Sequence, residues 1–328
     1  MRIIASALFM LILYTPSLVY GEITRKTVHD HLGNENYIFF KDGKEIARQI
    51  LDVLGEHVIK TVGTIPDGVV KEYYHTGGLR CEWNYAADKL EGVSREYDKN
   101  GKIRHEWHYV GDKLDGISRE YFSFGSDERK IKAAFTFKKG KMEGVYREYY
   151  ENGQLLKEGN YENDLLEGTV NQYYESGHLK ALWNYKHGRL EGICQEYNES
   201  GILKGKWVYK DDKLWGIAQE YYESGKLRTL SNYADDQLVG ECKEYYESGQ
   251  IRGLWNYEDG KRVGMFTTYY ESGEIMSEIN FDDNKIEGVA IEYYKDGLNK
   301  AVSFYEKGKI VRKSAYSESG ALLMNEEY

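Results

Sequence analysis

The residues that could do chemistry are few, and most of them stand in rows. His29-Asp30-His31 sets two imidazoles on one side of an extended segment, but two ligands without a third do not make a metal site. His105 and His108 are three apart, so on a strand they point to opposite faces and cannot chelate together. His75, His178 and His187 fall at turn positions and read as solvent-facing. A glutamate recurs as Glu72, Glu96, Glu120, Glu196, Glu220, Glu244 and Glu292, each followed by a cation: Arg80, Arg104, Lys132, Lys204, Arg228, Arg252 and Lys300. Acid–base catalysis needs one pair of carboxylates in different environments; a carboxylate repeated down the chain beside a cation is a structural ladder. There is no serine in a nucleophile-elbow setting, no phosphate-binding glycine loop and no supported Cys–His pair. The expectation is a protein that is not an enzyme, with no catalytic, cofactor-binding or metal-binding residues.

The rows come from a repeat. YYESGHL (173–179), YYESGKL (221–227), YYESGQI (245–251) and YYESGEI (269–275) are nearly one phrase. The glycine inside it recurs ten times from Gly77 to Gly297 at a spacing of 24, broken once by a spacing of 28 around GSDERK (125–130). A second glycine, usually in a KLEG phrase, keeps the same beat from Gly68 to Gly288. A fixed period of this kind decides the architecture before anything else. Ten full repeats are followed by a degenerate half, YSESGALL (316–323).

Counting each repeat from its KLEG-type glycine as position 1, position 6 is always tyrosine and position 18 always aromatic, while position 16 is tryptophan in Trp83, Trp107, Trp183, Trp207 and Trp255. The apolar positions 2, 6, 12, 16 and 18 are all even, the mark of strands with one half-buried face. Tyr-Tyr-Glu-Ser-Gly reads as the end of a strand and a three-residue hairpin loop with glycine in the left-handed conformation. Such a loop pairs position 7 with 11, 6 with 12 and 5 with 13, which sets each glutamate opposite its cation. The predicted fold is all-β: an elongated single-layer antiparallel sheet of ten stacked 24-residue hairpins, roughly 100 Å long at about 4.8 Å per strand.

The other segments complete the organisation. Residues 1–21 read as a signal peptide: Arg2, an apolar run too short for an easy membrane span, Pro16, and a Val-x-Gly ending with cleavage near Gly21. Export to a periplasm, cell surface or medium follows. Residues 22–66 form an N-terminal cap, in which KEIARQILDVLGE (44–56) has Ile46, Ile50 and Leu54 at helical spacing and is expected to hold one short helix. Residues 67–312 are the repeats and 313–328 a C-terminal cap. Cys81, Cys194 and Cys242 are expected to stay unpaired, since Cys194 and Cys242 share position 3 two repeats apart, beyond disulfide reach. The formal net charge of −10 disfavours nucleic acid and makes membrane binding beyond export improbable.

Position 7 carries a ladder of rings: Tyr74, Phe122, Tyr150, Tyr174, Tyr222, Tyr246, Tyr270 and Tyr294. They read either as packing against the neighbouring turn or as a recognition strip, since tyrosine offers rigid contact area with a hydrogen-bonding tip. The second reading assigns partner contact to Tyr150, Tyr174, Tyr222, Tyr246 and Tyr270 with Glu220, Arg228, Glu244 and Arg252.

The unit EYYESGKL…WNY…GKLEG, with its lead-in GTIPDGVVKEYY (63–74), resembles the bacterial variant of the MORN repeat over residues 63–328, and with it the YwqK-type antitoxins. The resemblance implies an extended hairpin sheet, a protein-binding role with some lipid association, and no catalytic motif to carry over. A leader is at odds with an antitoxin that acts in the producing cytoplasm. The sequence therefore predicts an exported, non-enzymatic scaffold for a protein partner. A glycan or cell-wall binder and an immunity or antitoxin protein are the alternatives.

Overall fold

A computed structural model describes residues 21–30, 34–52, 54, 58–123 and 129–328. Residues 1–20 of the expected signal peptide, His31, and residues 125–128 of the insertion lie outside the described residues. Among the described residues every regular element is a strand, and none is a helix long and apolar enough to cross a membrane. The chain divides into two units, residues 1–153 and 154–328. Both are built from the predicted hairpins.

The repeat beginning at Gly192 shows the construction. Gly192–Tyr197 pairs antiparallel with Leu203–Lys210. The loop between them closes as expected: Asn198 N–H donates to Ile202 O at 2.8 Å, Gly201 N–H to Asn198 O at 2.9 Å, and Gly201 takes a φ of 81°. A second turn, Asp211-Asp212, has φ of 48° and 69° and leads into the short strand Lys213–Leu214. Two successive positive φ values make it a type I′ turn, whose twist matches the strands it joins.

One detail of the expected register is corrected. Tyr197 does face Leu203, but Glu196 faces Gly205 and not Lys204. The same shift separates Glu72 and Tyr73, which face Cys81 and Leu79. Position 13 is the extra residue of a β-bulge. The ion pair survives diagonally, with Arg80–Glu72, Lys204–Glu196 and Arg252–Glu244 all at 3.0 Å and Lys132–Glu120 at 2.7 Å.

The bulge also overturns the expectation that all even positions share the buried face. Because 5 pairs with 14 and 3 with 16, odd positions of the first strand lie with even positions of the second. Position 3 is the most buried of all: Val70, Ser94, Val170 and Cys194 are at 0% exposure. Position 14 is buried too, as Cys81, Ala133 and Ala181. Position 2 stands on the other face, where Ile193 and Ile217 are exposed. Position 6 joins it there, so its tyrosines are half-buried on the outer face and not in the core.

In two repeats a glycine at position 14 makes room for the indole at position 16. A Cβ at Gly205 would come within 2.2 Å of the Trp207 ring, and one at Gly253 within 2.2 Å of Trp255. The indole of position 16 thus lies across position 14 of its own strand. The three cysteines are buried and free, at positions 3 and 14.

Repeats are held to one another mostly by side chains. Between the Gly192 and Gly216 repeats the strand ladder has only two partners, Gly205↔Glu220 and Lys206↔Gln219. At the type I′ end, Asp212 accepts from Leu190 N–H at 2.7 Å and its own N–H donates to Leu190 O at 3.1 Å. Glu191, the acid of the KLEG phrase, accepts from Asp211 N–H at 3.1 Å. Glu91, Glu167 and Glu287 do the same for Gly111, His187 and Lys307. On the outer face, Asn184 of the WNY phrase donates to Ile193 O and Asn84 to Val93 O, spanning the gap left at each position 1 glycine.

At the other end of the hairpins, the position 7 tyrosines complete the set. Tyr174 Oη donates to Tyr197 O at 2.8 Å, Tyr222 to Tyr245 at 2.6 Å, Tyr246 to Tyr269 at 2.8 Å and Tyr270 to Tyr293 at 2.8 Å. Each hydroxyl reaches a carbonyl in the next repeat.

The N-terminal segment forms four strands: β1 (Ile23–His29), β2 (Glu35–Lys41), β3 (Lys44–Leu51) and β4 (Val58–Gly63). They pair in order as an antiparallel meander, and β1 also runs parallel to β5 (Gly68–Tyr73), the first strand of the first repeat. That pairing covers an edge which would otherwise be open. The helix expected at 44–56 is instead strand β3 as far as Leu51. Ala47, Gln49 and Leu51 alternate inward, and the backbone is paired on both sides. A spacing of four, as in Ile46 and Ile50, is also a multiple of two, so it fits one face of a strand as well as a helix.

Replacing Tyr222 by Phe removes one inter-repeat hydrogen bond and leaves a carbonyl unpaired. Urea unfolding of the variant should show a loss of about 1 kcal/mol, with Tyr222→Ala losing more because the ring contact goes too. An unchanged urea midpoint for both variants would return the hydroxyl to a role outside the fold.

Candidate functional site

The face defined by positions 3, 5, 14, 16 and 18 collects indoles, phenols and carboxylates. At the first repeat the N-terminal strands have filled it. β1 lies beside β5, so Arg25 falls in line with Glu72 and its side chain enters the face, where it is buried. Its Nη2 lies 2.9 Å from Glu72 Oε2, its Nε 3.3 Å from the same oxygen, and its Nη1 3.5 Å from Tyr85 Oη. The guanidinium is held between two rings, 4.0 Å from the centre of Tyr37 and 4.3 Å from that of Trp83. Glu72 accepts further from Arg80 at 3.0 Å, Trp83 Nε1 at 3.3 Å and Thr27 Oγ1 at 3.4 Å. Burial works against the charge on Arg25, and Tyr85 and Glu72 more than offset it, so its pKa lies above the ordinary value.

Around this cluster Phe39 meets Tyr85 edge to face at 5.4 Å, within a core of Ile23, Ala47, Ile65 and Val70. Trp107 stacks on Trp83 at 5.5 Å, and His105 on Trp107 at 5.3 Å, with a hydrogen bond of 2.7 Å between His105 Nδ1 and Glu96. His108 points away to Asp115 O, as the strand period required.

In the second unit the same face carries Trp183, Trp207 and Trp255, all half-buried, with Glu196, Glu220 and Glu244 at position 5. Glu196 is paired with Lys204 and Glu244 with Arg252. Glu220 accepts from Thr229 Oγ1 at 3.2 Å, and among the described residues neither it nor Arg228 forms an ion pair. Lys180 sits 5.6 Å from the Tyr174 ring and Arg252 5.8 Å from that of Tyr246. The position 7 rings therefore form a rim along this face, with their hydroxyls engaged in the array. Tyr150 lies at the end of the first unit, where its carbonyl accepts from Gly153 at 2.9 Å.

On the outer face, beside the exposed aliphatic residues of position 2, the polar groups pair with one another. Tyr97 Oη donates to Glu82 at 2.5 Å and Tyr293 to Glu278 at 2.8 Å, while Arg95 and Arg119 both reach Glu106, at 3.0 and 3.3 Å. The position 16 tryptophans were expected as core alone. What separates the two roles is the bulge, which carries no signal beyond the cation at position 13.

Burial pushes the Cys81 thiol up to about 12, with Glu72 and Glu96 adding to it. It pushes Tyr109 up to about 12 as well, and Tyr97 to about 12 with help from the hydrogen bond to Glu82. These groups are neutral when protonated, so the stability they represent is whole below their unfolded values and is lost as pH rises through the folded ones. The urea midpoint should hold to about pH 9 and fall between about pH 10 and 12, together with a step in tyrosinate absorbance. Tyr109→Phe should lessen that fall, and a fall of the same size in this variant would remove Tyr109 from the account.

Comparison with known proteins follows the same lines. A profile described as MORN repeat variant matches residues 66–87, 90–110, 142–163, 166–187, 190–211, 216–235, 238–259 and 262–283. No curated protein matches the chain. Among solved structures, the Photorhabdus luminescens Tc holotoxin pore with a TccC3 mutation is 12% identical over 90% of this chain and 18% of that one, with a TM-score of 0.19. The crystal structure of TcdB2–TccC3 is 10% identical over 92% of this chain and 22% of that one, with a TM-score of 0.15. The chain thus spans about a fifth of the length of each. With eight profile matches covering more than half of its residues, and a bulged hairpin as its repeating unit, the chain belongs to the MORN repeat variant family.

Proposed function

We propose that the chain is an exported, non-enzymatic scaffold that holds a protein partner on the inner face of its repeats. The observation that carries this is the row of half-buried indoles Trp183, Trp207 and Trp255, set among the carboxylates Glu196, Glu220 and Glu244. Tryptophan, tyrosine and arginine dominate the energetic centres of protein interfaces, because they combine large apolar area with a polar tip. The position 7 tyrosines, with Arg228 and Arg252, supply the rim. The outer face offers less, since its phenols and carboxylates already satisfy one another. Export rests on the apolar leader at residues 1–21, and the family is one of repeat scaffolds without a catalytic motif.

The test compares the chain lacking its leader with a Trp207→Ala/Trp255→Ala variant, both immobilised and exposed to proteins of the native envelope or medium. Circular dichroism first establishes that the variant keeps its strands. One protein should be retained in stoichiometric amount by the parent and lost from the variant. Equal recovery on both would move the contact off this face. Retention on purified cell-wall glycan with no protein present would favour the glycan reading, and rescue of a co-expressed exported toxin would identify the partner as a toxin.

A further inference from the structure

The chain contains its own example of what this face accepts. Arg25 is not part of any repeat, yet it is held on the first repeat by Glu72, Trp83 and Tyr85, with Arg80 as the second cation on Glu72 and Tyr37 closing the other side. The repeat at Gly192 presents the same groups at the same positions: Glu196 for Glu72, Trp207 for Trp83, Tyr209 for Tyr85 and Lys204 for Arg80. Trp183, at position 16 of the repeat before, is on the strand that takes the place of β1 beside Gly192–Tyr197, with Ala181 opposite Glu196 where Arg25 lies in line with Glu72. The differences also matter. Trp83 is stacked on Trp107 at 5.5 Å, whereas among the described residues neither Trp183 nor Trp207 has a ring or a cation against it. Glu196 is 30% exposed against 7% for Glu72. The repeat at Gly240 presents the set again, as Glu244, Trp255, Tyr257 and Arg252, with one side of Trp255 stacked on Phe266 at 5.9 Å, as Trp83 is on Trp107.

We infer that this face of the second unit binds arginine side chains of an extended, basic segment of the partner, one over Glu196 against the Trp207 ring and a second at Glu244 and Trp255. The inference rests on the scaffold reading above and names the chemistry of its partner. Arginine suits the site better than lysine. Its flat guanidinium stacks on an indole and presents paired donors to a carboxylate, while an ammonium is more strongly hydrated and cannot do both. A net charge of −10 draws a basic segment in and disfavours an acidic one. Two repeats separate the two sites. At about 4.8 Å per strand that is roughly 20 Å, or about six residues of extended chain crossing the strands. Lys204 already occupies Glu196, as Arg80 does Glu72, and in the first repeat Glu72 accepts from both cations at once.

The test uses the chain without its leader and three synthetic extended peptides: one with two arginines six residues apart, one with lysines in their place and one with alanines. Tryptophan fluorescence and calorimetry read the binding. The arginine peptide should bind at least about tenfold more tightly than the lysine peptide, and the alanine peptide should not bind. Glu196→Gln and Trp207→Tyr, which keep the size of each group, should each weaken the arginine peptide about tenfold, while Trp107→Tyr should leave it unchanged. Equal binding of arginine and lysine peptides, insensitive to Trp207→Tyr, would reduce the effect to net charge and overturn the inference. No binding of the arginine peptide, with capture of the native partner still dependent on Trp207 and Trp255, would sink the arginine assignment and leave the scaffold standing. Loss of both would sink both.

Discussion

One extra residue per repeat governs the molecule. The bulge at position 13 shifts the pairing by a single residue, and in a sheet a single residue reverses which side chains face which way. Without it, glutamate at position 5 and tryptophan at position 16 would lie on opposite faces. With it, they share the face that also holds the small residues at 3 and 14. A demand for a small residue at position 14 follows wherever the indole lies across its own strand, as it does in the repeats of Trp207 and Trp255. Gly205 and Gly253 mark the limit of that demand, since even a methyl group there would overlap the ring.

The second constraint is that neighbouring repeats share so little backbone. The ladder between the Gly192 and Gly216 repeats is two residues long, too short to hold two hairpins in register alone. The tyrosine hydroxyl, the KLEG carboxylate, the type I′ aspartate and the WNY asparagine each tie one repeat to the next, at a separation of 20 to 23 residues for the first three. Each bond needs a fixed offset, so the period of 24 cannot drift. This accounts for the constancy of phrases that would be free to vary on a surface, and it puts the position 7 phenols to structural use as well as leaving their rings at the rim.

How much of this was legible in the sequence depends on whether the signal was periodic. The hairpins, their loops and most of the ion pairs could be read, because glycine and tyrosine recur ten times, the offset from glutamate to cation seven times, and local turn chemistry is strong. The face could not, since a bulge is a matter of pairing and leaves the composition unchanged. The cap was misread for a different reason. Ile46 and Ile50 satisfy both periods, and what decided between them was strand pairing with β2 and β4, which no local pattern contains. The KLEG acid was visible but had no evident purpose until its partner, a backbone N–H in the next repeat's turn, was in place.

Arg25 ties these threads together. Burying a guanidinium is costly, and a buried ion pair is weak evidence for stability on its own. Here the cost is offset by two carboxylate contacts and the Trp83 face, which the repeat would present in any case because position 5 is glutamate for register and position 16 is an indole for packing, and by a second aromatic face, Tyr37, from the cap itself. The cap did not need a dedicated receptor. It needed one cation, on a strand that also covers the open edge of β5, and one ring, Tyr37, and the array supplied the carboxylate and the indole. A surface that recognises a cation by virtue of its own architecture will do so wherever the same residues recur and nothing covers them. On that argument the first unit shows the face occupied by the chain itself, and the second shows it offered to another.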